Sequence, residues 1–176
     1  PKQEALIEVA PSKEYESFPL TEIQHAYLVS RGDSSSQATV GTTYCQIFAV
    51  DEIDLDRLDA AWGKVQKRHG MMRASVEEDG TQSIAPSSKI GHIERAECAN
   101  SSEAKQQLEE IKRTVFALAK PPLHRVVSIS WHEESGKQTR LVFCFDYTVL
   151  DALSVMTVLA ELAELYENPG ADLPGI

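Results

Sequence analysis

Two carboxylates five positions apart, Asp146 and Asp151, with Ser154 three places further on, are the side chains whose types and spacing best suit chemistry. They follow Leu141-Val-Phe-Cys-Phe145, an unbroken run of β-prone apolar residues that is too short for a helix and fits a strand covered on both faces. From Ala152 the apolar positions Leu153, Val155, Met156, Leu159, Leu162, Ala163 and Tyr166 fall on a helical period. The pattern is strand, bend, helix. Ligand clefts in helix-flanked sheets open beyond strand ends, so Asp146 is expected at the mouth of a cleft and Asp151 at the N-terminus of the next helix. Asp151 also suits a plain N-cap, with Ser154 at the third helical position helping to satisfy another free donor. Asp146 is harder to explain structurally. A carboxylate ending a buried strand is costly to desolvate unless a cation, hydrogen-bond donors or a water-filled cavity meets it.

The elements that must position this bend are legible in outline. Thr21 and Gln24 form a capping box for a helix running to about Ser30, with His25 inside it. Val40 to Val50 reads as a strand, and Asp54 caps a helix whose apolar stripe is Leu55, Leu58, Trp62 and Val65. That helix ends near Gly70 and leads into a strand from Ala74 to Val76, after which Glu77-Glu78-Asp79-Gly80 turns the chain back through Thr81 to Ala85. Ile90 to Arg95 reads as a further short strand of a peripheral meander. Ser101 or Ser102 is expected to cap a helix striped by Ala104, Leu108, Ile111, Val115 and Leu118 and ended by Pro121-Pro122. A strand over Leu123 to Trp131 then forms a hairpin with the strand that delivers Asp146. The order of elements argues for an α/β two-layer sandwich, a mixed sheet with helices on its faces. Residues 1–17 read as a linker or edge segment, 18–170 as the domain, and 171–176 as a tail.

Composition narrows the function classes. The chain of 176 residues, 42% hydrophobic and 25% charged, has the make-up of one ordinary globular domain. A net charge of -10 argues against nucleic acid and anionic membranes as partners. No apolar run approaches the roughly 18 residues of a membrane span, and Pro1-Lys-Gln-Glu4 opens no signal peptide, so a cytoplasmic location is expected. Cys45, Cys98 and Cys144 are odd in number, far apart and in no C-x-x-C pair, and are read as reduced thiols, with Cys98 in a polar stretch. None of the five histidines pairs at metal-ligand spacing, and there is no glycine-rich phosphate loop or G-x-S-x-G elbow, so no metal site is expected.

The spacing Asp146-x-x-x-x-Asp151-x-x-Ser154 resembles the D-x-x-x-x-D-x-x-S motif of heterocyclization domains, the specialised condensation domains of nonribosomal peptide synthetases. Phe18-Pro-Leu-Thr-Glu-Ile-Gln24-His-Ala-Tyr27-Leu-Val-Ser-Arg31 is similar to that family's opening F-P-L-T-x-x-Q-x-A-Y-x-x-x-R, and Arg68-His-Gly-Met-Met-Arg73-Ala to its R-H-x-M-L-R-A segment. The resemblance covers about residues 18 to 170. It implies one lobe, the N-terminal one, of the chloramphenicol-acetyltransferase-like fold, whose second lobe closes the active-site tunnel. An isolated lobe would therefore expose apolar surface and be inactive.

The resemblance also implies an activity and partners. Such a domain condenses a carrier-bound acyl or peptidyl thioester with carrier-bound Cys, Ser or Thr and cyclodehydrates the product to a thiazoline or oxazoline. It binds no cofactor directly; the phosphopantetheine arms of upstream and downstream carrier proteins reach it in trans. Asp146 would be the motif acid nearest the cavity, with Asp151 beside it. Arg73 is expected to pair with Asp151, a contact a guanidinium can make bidentately. Gln24 and His25 would lie near the tunnel. Ordinary condensation domains carry H-H-x-x-x-D-G at this bend, where this chain has Asp146 and Tyr147 at the two His positions and Ala152 at the Gly; Gly70 replaces the usual acid after Arg-His. A non-catalytic docking or gating module that binds carrier proteins is the second reading.

Overall fold

The computed structural model describes residues 13–32, 42–87 and 90–175. The first twelve residues of the expected linker, the Val40-Gly41 start of the expected strand and the last residue of the tail lie outside them. The main sheet has four strands in the order β2-β7-β6-β5: β2 (Thr43–Val50), β5 (Glu94–Glu97), β6 (His124–Glu133) and β7 (Gly136–Asp146). β2, β7 and β6 are antiparallel neighbours, whereas β5 pairs with β6 in parallel, so the sheet is mixed, as expected.

β7 lies between two long partners, and alternation along it divides the core in two. Leu141, Phe143 and Phe145 pack into the larger cluster with Trp62, Val65, Val155, Val158 and Leu162, contributed by α2 (Leu55–Arg68) and α4 (Ala152–Glu167). Val142 and Cys144 point the other way, towards Ala104 and Ile111 of α3 (Ser101–Lys112). Apolar on both faces, this strand cannot slip by one residue without exchanging the two sets. Full burial of each Leu- or Phe-sized side chain is worth about 1.5–3 kcal/mol.

A second, three-stranded antiparallel sheet, β1-β4-β3, is formed by β1 (Phe18–Pro19), β3 (Ala74–Val76) and β4 (Thr81–Ile84). The hairpin turn between β3 and β4 requires Gly80 at φ +83, a conformation that favours glycine. α1 (Glu22–Gly32) starts with the expected capping box: the Thr21 N–H donates to Gln24 Oε1 at 2.9 Å, and the Gln24 N–H donates to Thr21 Oγ1 at 3.3 Å.

Four local expectations need correction. The segment around Ile90–Arg95 is not part of a peripheral meander: its strand begins at Glu94 and forms the parallel edge of the main sheet. α3 is capped by Asn100, which accepts from Ser102 and Glu103 N–H at 3.0 Å each, and the helix ends at Lys112 rather than at the prolines. Cys45 and Cys144 are directly opposed on β2 and β7, with Cα atoms 4.2 Å apart, and form a disulfide. Their separation of 99 residues leaves no spacing signal, and only strand register brings them together. Cys98 is the free thiol and is buried, which raises its pKa. The 171–175 stretch packs Ala171 and Leu173 against the larger core.

Candidate functional site

The strand-bend-helix unit forms where expected, but it sends its two acids to opposite sides. Asp146 is 0% exposed. Alternation places its side chain on the Cys144 side of β7, away from the α2/α4 face. There Oδ2 forms an ion pair with Arg31 Nη2 from the last turn of α1. Oδ1 accepts from the Thr42 hydroxyl at 2.7 Å and the Thr148 N–H at 2.9 Å. Arg31 is tied in turn to the Phe116 carbonyl at 3.1 Å and to Thr42 Oγ1 at 2.5 Å. The expectation that Asp146 opens onto the cleft is therefore not met. A guanidinium, a hydroxyl and a backbone N–H satisfy the carboxylate, and these are what offset its desolvation at the end of a core strand. The Asp146 carbonyl also accepts from Val149 and Leu150 N–H at 3.2 Å each, so the same residue folds the bend.

Asp151 faces solvent and caps α4, accepting the Ser154 N–H at 2.7 Å. Hydrogen bonds from the Ser154 backbone and hydroxyl hold its carboxyl below the usual carboxylate range. The cap contributes stability above the unfolded carboxyl value and loses it as pH falls through the lower folded value. Asp151→Ala is expected to cost about 0.5–2 kcal/mol, while Asp151→Asn, which retains a cap, stays within a few tenths of the parent; urea unfolding of both variants at pH 7 checks this.

Arg73 does not pair with Asp151. The 3-10 turn Gly70–Arg73 folds the buried guanidinium back beneath the end of α2, where Nη1 donates to the carbonyls of Gln66 at 2.5 Å and Lys67 at 2.8 Å. Its Nε donates to the Ala85 carbonyl at 3.0 Å, and Nη2 lies 3.3 Å from Glu14 Oε1. Arg73 thus satisfies carbonyls that every helix C-terminus leaves free.

A cavity of about 590 Å³, mainly apolar, opens beside the bend. Phe18, Tyr27, Met71, Tyr147 and Val149 supply its apolar wall, and Gln24, Asp151 and Ser154 also line it. Gln24 lines this cavity. Its Nε2 donates to the Thr148 carbonyl at 2.8 Å and to Gln82 Oε1 at 2.9 Å, while Gln82 Nε2 donates back at 3.0 Å. This pair ties α1, β4 and the bend together. His25 is not in the lining; it is exposed and lies over the hairpin, where a Cβ on Gly80 would come within 2.6 Å of its ring. One helical position from Gln24, it faces a different neighbour. Tyr147 stacks on Tyr44 with ring centroids 5.5 Å apart and planes at 11°, and burial raises its phenol pKa.

Sequence reasoning missed Arg31, Thr42, Thr148 and Gln82. Arg31 closes the opening motif, so its position was visible, but its partner 115 residues away was not. Among the described residues no group of three or more His, Cys, Asp or Glu side chains is placed to hold a metal, and no helix is long and apolar enough to cross a membrane.

The mixed sheet backed by helices is shared with solved condensation-type domains of the chloramphenicol-acetyltransferase-like fold. The Condensation domain family model matches residues 14–174, and the chain belongs to the condensation-domain family. The EpoB NRPS cyclization-docking bidomain from Sorangium cellulosum superimposes with a TM-score of 0.84 at 29% identity, covering 97% of this chain and 35% of that one. Phenyloxazoline synthase MbtB from Mycolicibacterium paratuberculosis is 32% identical over 173 residues, 93% of this chain and 14% of that protein. Pyochelin synthetase PchF from Pseudomonas aeruginosa is 29% identical over 171 residues, 90% of this chain and 9% of that protein. The chain thus spans a small part of the length of these curated relatives.

Proposed function

We propose that this chain is the N-terminal lobe of a nonribosomal peptide synthetase heterocyclization domain. Acting with a second lobe, it joins a carrier-bound acyl or peptidyl thioester to carrier-bound Cys, Ser or Thr and closes the product to a thiazoline or oxazoline. The observation that carries this reading is the cavity beside the bend, where a carboxylate, two phenols and a serine hydroxyl stand among apolar walls with no imidazole among the described lining residues. Peptide-bond formation by a histidine at this bend is disfavoured by that lining, whereas moving protons at two heteroatoms needs acidic and basic groups of the kind present. Similarity to a cyclization domain and to a phenyloxazoline synthase supports the same reading.

In this reading Asp146 positions the bend and Asp151 faces the substrates. The apolar side chains standing exposed on α1 and α4, with Ile23 at 69%, Leu153 at 72% and Met156 at 67%, fit contact with the second lobe. The phosphopantetheine arms of upstream and downstream carrier proteins would bring both substrates into the channel between the lobes, in a cytoplasmic assembly. The isolated lobe offers only one wall of that channel and is inactive.

The full-length synthetase carrying this domain, supplied with carrier-bound Cys and an acyl donor, tests the proposal by mass spectrometry of the released product. A product lighter than the linear amide by one water is expected. Linear amide alone would make the domain a plain condensation catalyst, and the absence of any amide would make it a non-catalytic gating module.

A further inference from the structure

We propose that the Tyr147 hydroxyl donates the proton to the oxygen that leaves as water during ring closure. The inference rests on the heterocyclization reading and adds to it a named group for one step.

The other polar groups of the cavity are largely committed. The side-chain amides of Gln24 and Gln82 bond to each other, and Gln24 also holds the Thr148 carbonyl. The Thr148 hydroxyl lies 3.4 Å from that of Thr42, on the Asp146 side, and Thr21 Oγ1 is bonded to Gln24 Oε1 at 3.1 Å. Asp151 is an ionised acceptor already holding Ser154. The phenols of Tyr27 and Tyr147 differ from these, and of the two it is Tyr147 that stands in the bend itself, four residues from Asp151. The Tyr147 backbone N–H is fixed to the Thr42 carbonyl at 2.9 Å and its ring is stacked on Tyr44, yet no described residue bonds its hydroxyl. A rigidly held donor with a free O–H therefore shares the cavity with a carboxylate. Burial, with the neighbouring Tyr44, Tyr27 and Asp151, raises the phenol pKa, so the group keeps its proton at neutral pH.

The step balances without an oxidant or reductant. The acceptor thiol or hydroxyl adds to the new amide carbonyl, and its proton passes to that oxygen. The C–O bond of the resulting hydroxylated ring then breaks, with its electron pair departing on oxygen, as the nitrogen lone pair forms C=N. Tyr147 protonates the departing oxygen, giving water. Asp151 accepts the proton released from the now cationic nitrogen, and its return to the phenolate restores both groups. One water is lost in sum.

Tyr147→Phe in the full-length synthetase keeps the ring and its stacking and removes only the hydroxyl. With carrier-bound Cys and an acyl donor, the ratio of cyclised product to linear amide is expected to fall about 10²-fold. Cyclisation at the parent rate would overturn the inference, and so would an equal loss of amide formation, which marks a merely structural role. Should the parent enzyme itself make amide but no ring, the heterocyclization reading falls and this inference with it. Replacing Tyr147 with 3-fluorotyrosine, whose phenol is more acidic, should move the alkaline limb of the cyclisation pH profile to lower pH; an unmoved limb would overturn the assignment.

Discussion

Asp146→Ala is expected to lower the unfolding free energy by about 3–5 kcal/mol, the cost of removing one partner from a buried ion pair. The variant would leave the Arg31 guanidinium, only 12% exposed, without its carboxylate. It would also orphan the Thr148 N–H and release the Thr42 hydroxyl, two groups that set the path of the bend. A domain of this kind is stable by about 5–15 kcal/mol, so the loss is a large fraction of the whole. Any loss of turnover in this variant must therefore be read beside a denaturation curve. A purely chemical acid would show the opposite pattern, with turnover lost and the unfolding midpoint unchanged.

Acidification from pH 6.5 towards pH 4 is expected to remove roughly 3 kcal/mol of stability through one residue, His124. The imidazole is buried against the edge of Trp62, with ring centroids 5.1 Å apart, and its Nε2 meets no partner among the described residues. Burial pushes its pKa down from 6.5 to about 4, opposed in part by the Met72 backbone. The folded value lies below the unfolded one, so the unfolded chain binds the proton first. The contribution is complete above pH 6.5 and is lost as pH falls through the window down to the folded value. Urea midpoints at pH 7 and pH 4.5 should differ by most of this amount in the parent and by clearly less in His124→Phe; an equal fall in both would remove His124 as the cause.

Much of the fold was legible because its signals are local. Leu141–Phe145 declared a strand apolar on both faces, Thr21 and Gln24 a capping box, and Asp54 a helix start, and each is fixed by neighbours within a few residues. The parallel edge strand at Glu94–Glu97 was not, since its pairing with β6 depends on a crossover through α3 that composition does not encode. The site divides in the same way. Asp151 capping α4 follows from its place before a helical period. Asp146 was aimed the wrong way because its position at a strand end was weighed and its alternation with Phe145 was not. Once Cys144 and Asp146 are put on one face, the carboxylate must point away from the α2/α4 face of the sheet and needs a cation there. Arg31 supplies it from a segment 115 residues earlier, and Arg73, the basic residue expected to brace the motif, is taken up by the end of α2.

The claim that Asp146 is sequestered in an ion pair, leaving the cavity to Asp151 and Tyr147, is tested most directly by a double-mutant cycle on Arg31 and Asp146. Unfolding free energies would be measured for Arg31→Met, Asp146→Leu and the pair together. Each single change is expected to cost about 3–5 kcal/mol, and the double variant no more than either alone, because the uncompensated charge is gone. Costs that simply add would contradict the account and return Asp146 to the list of groups free to act on substrate.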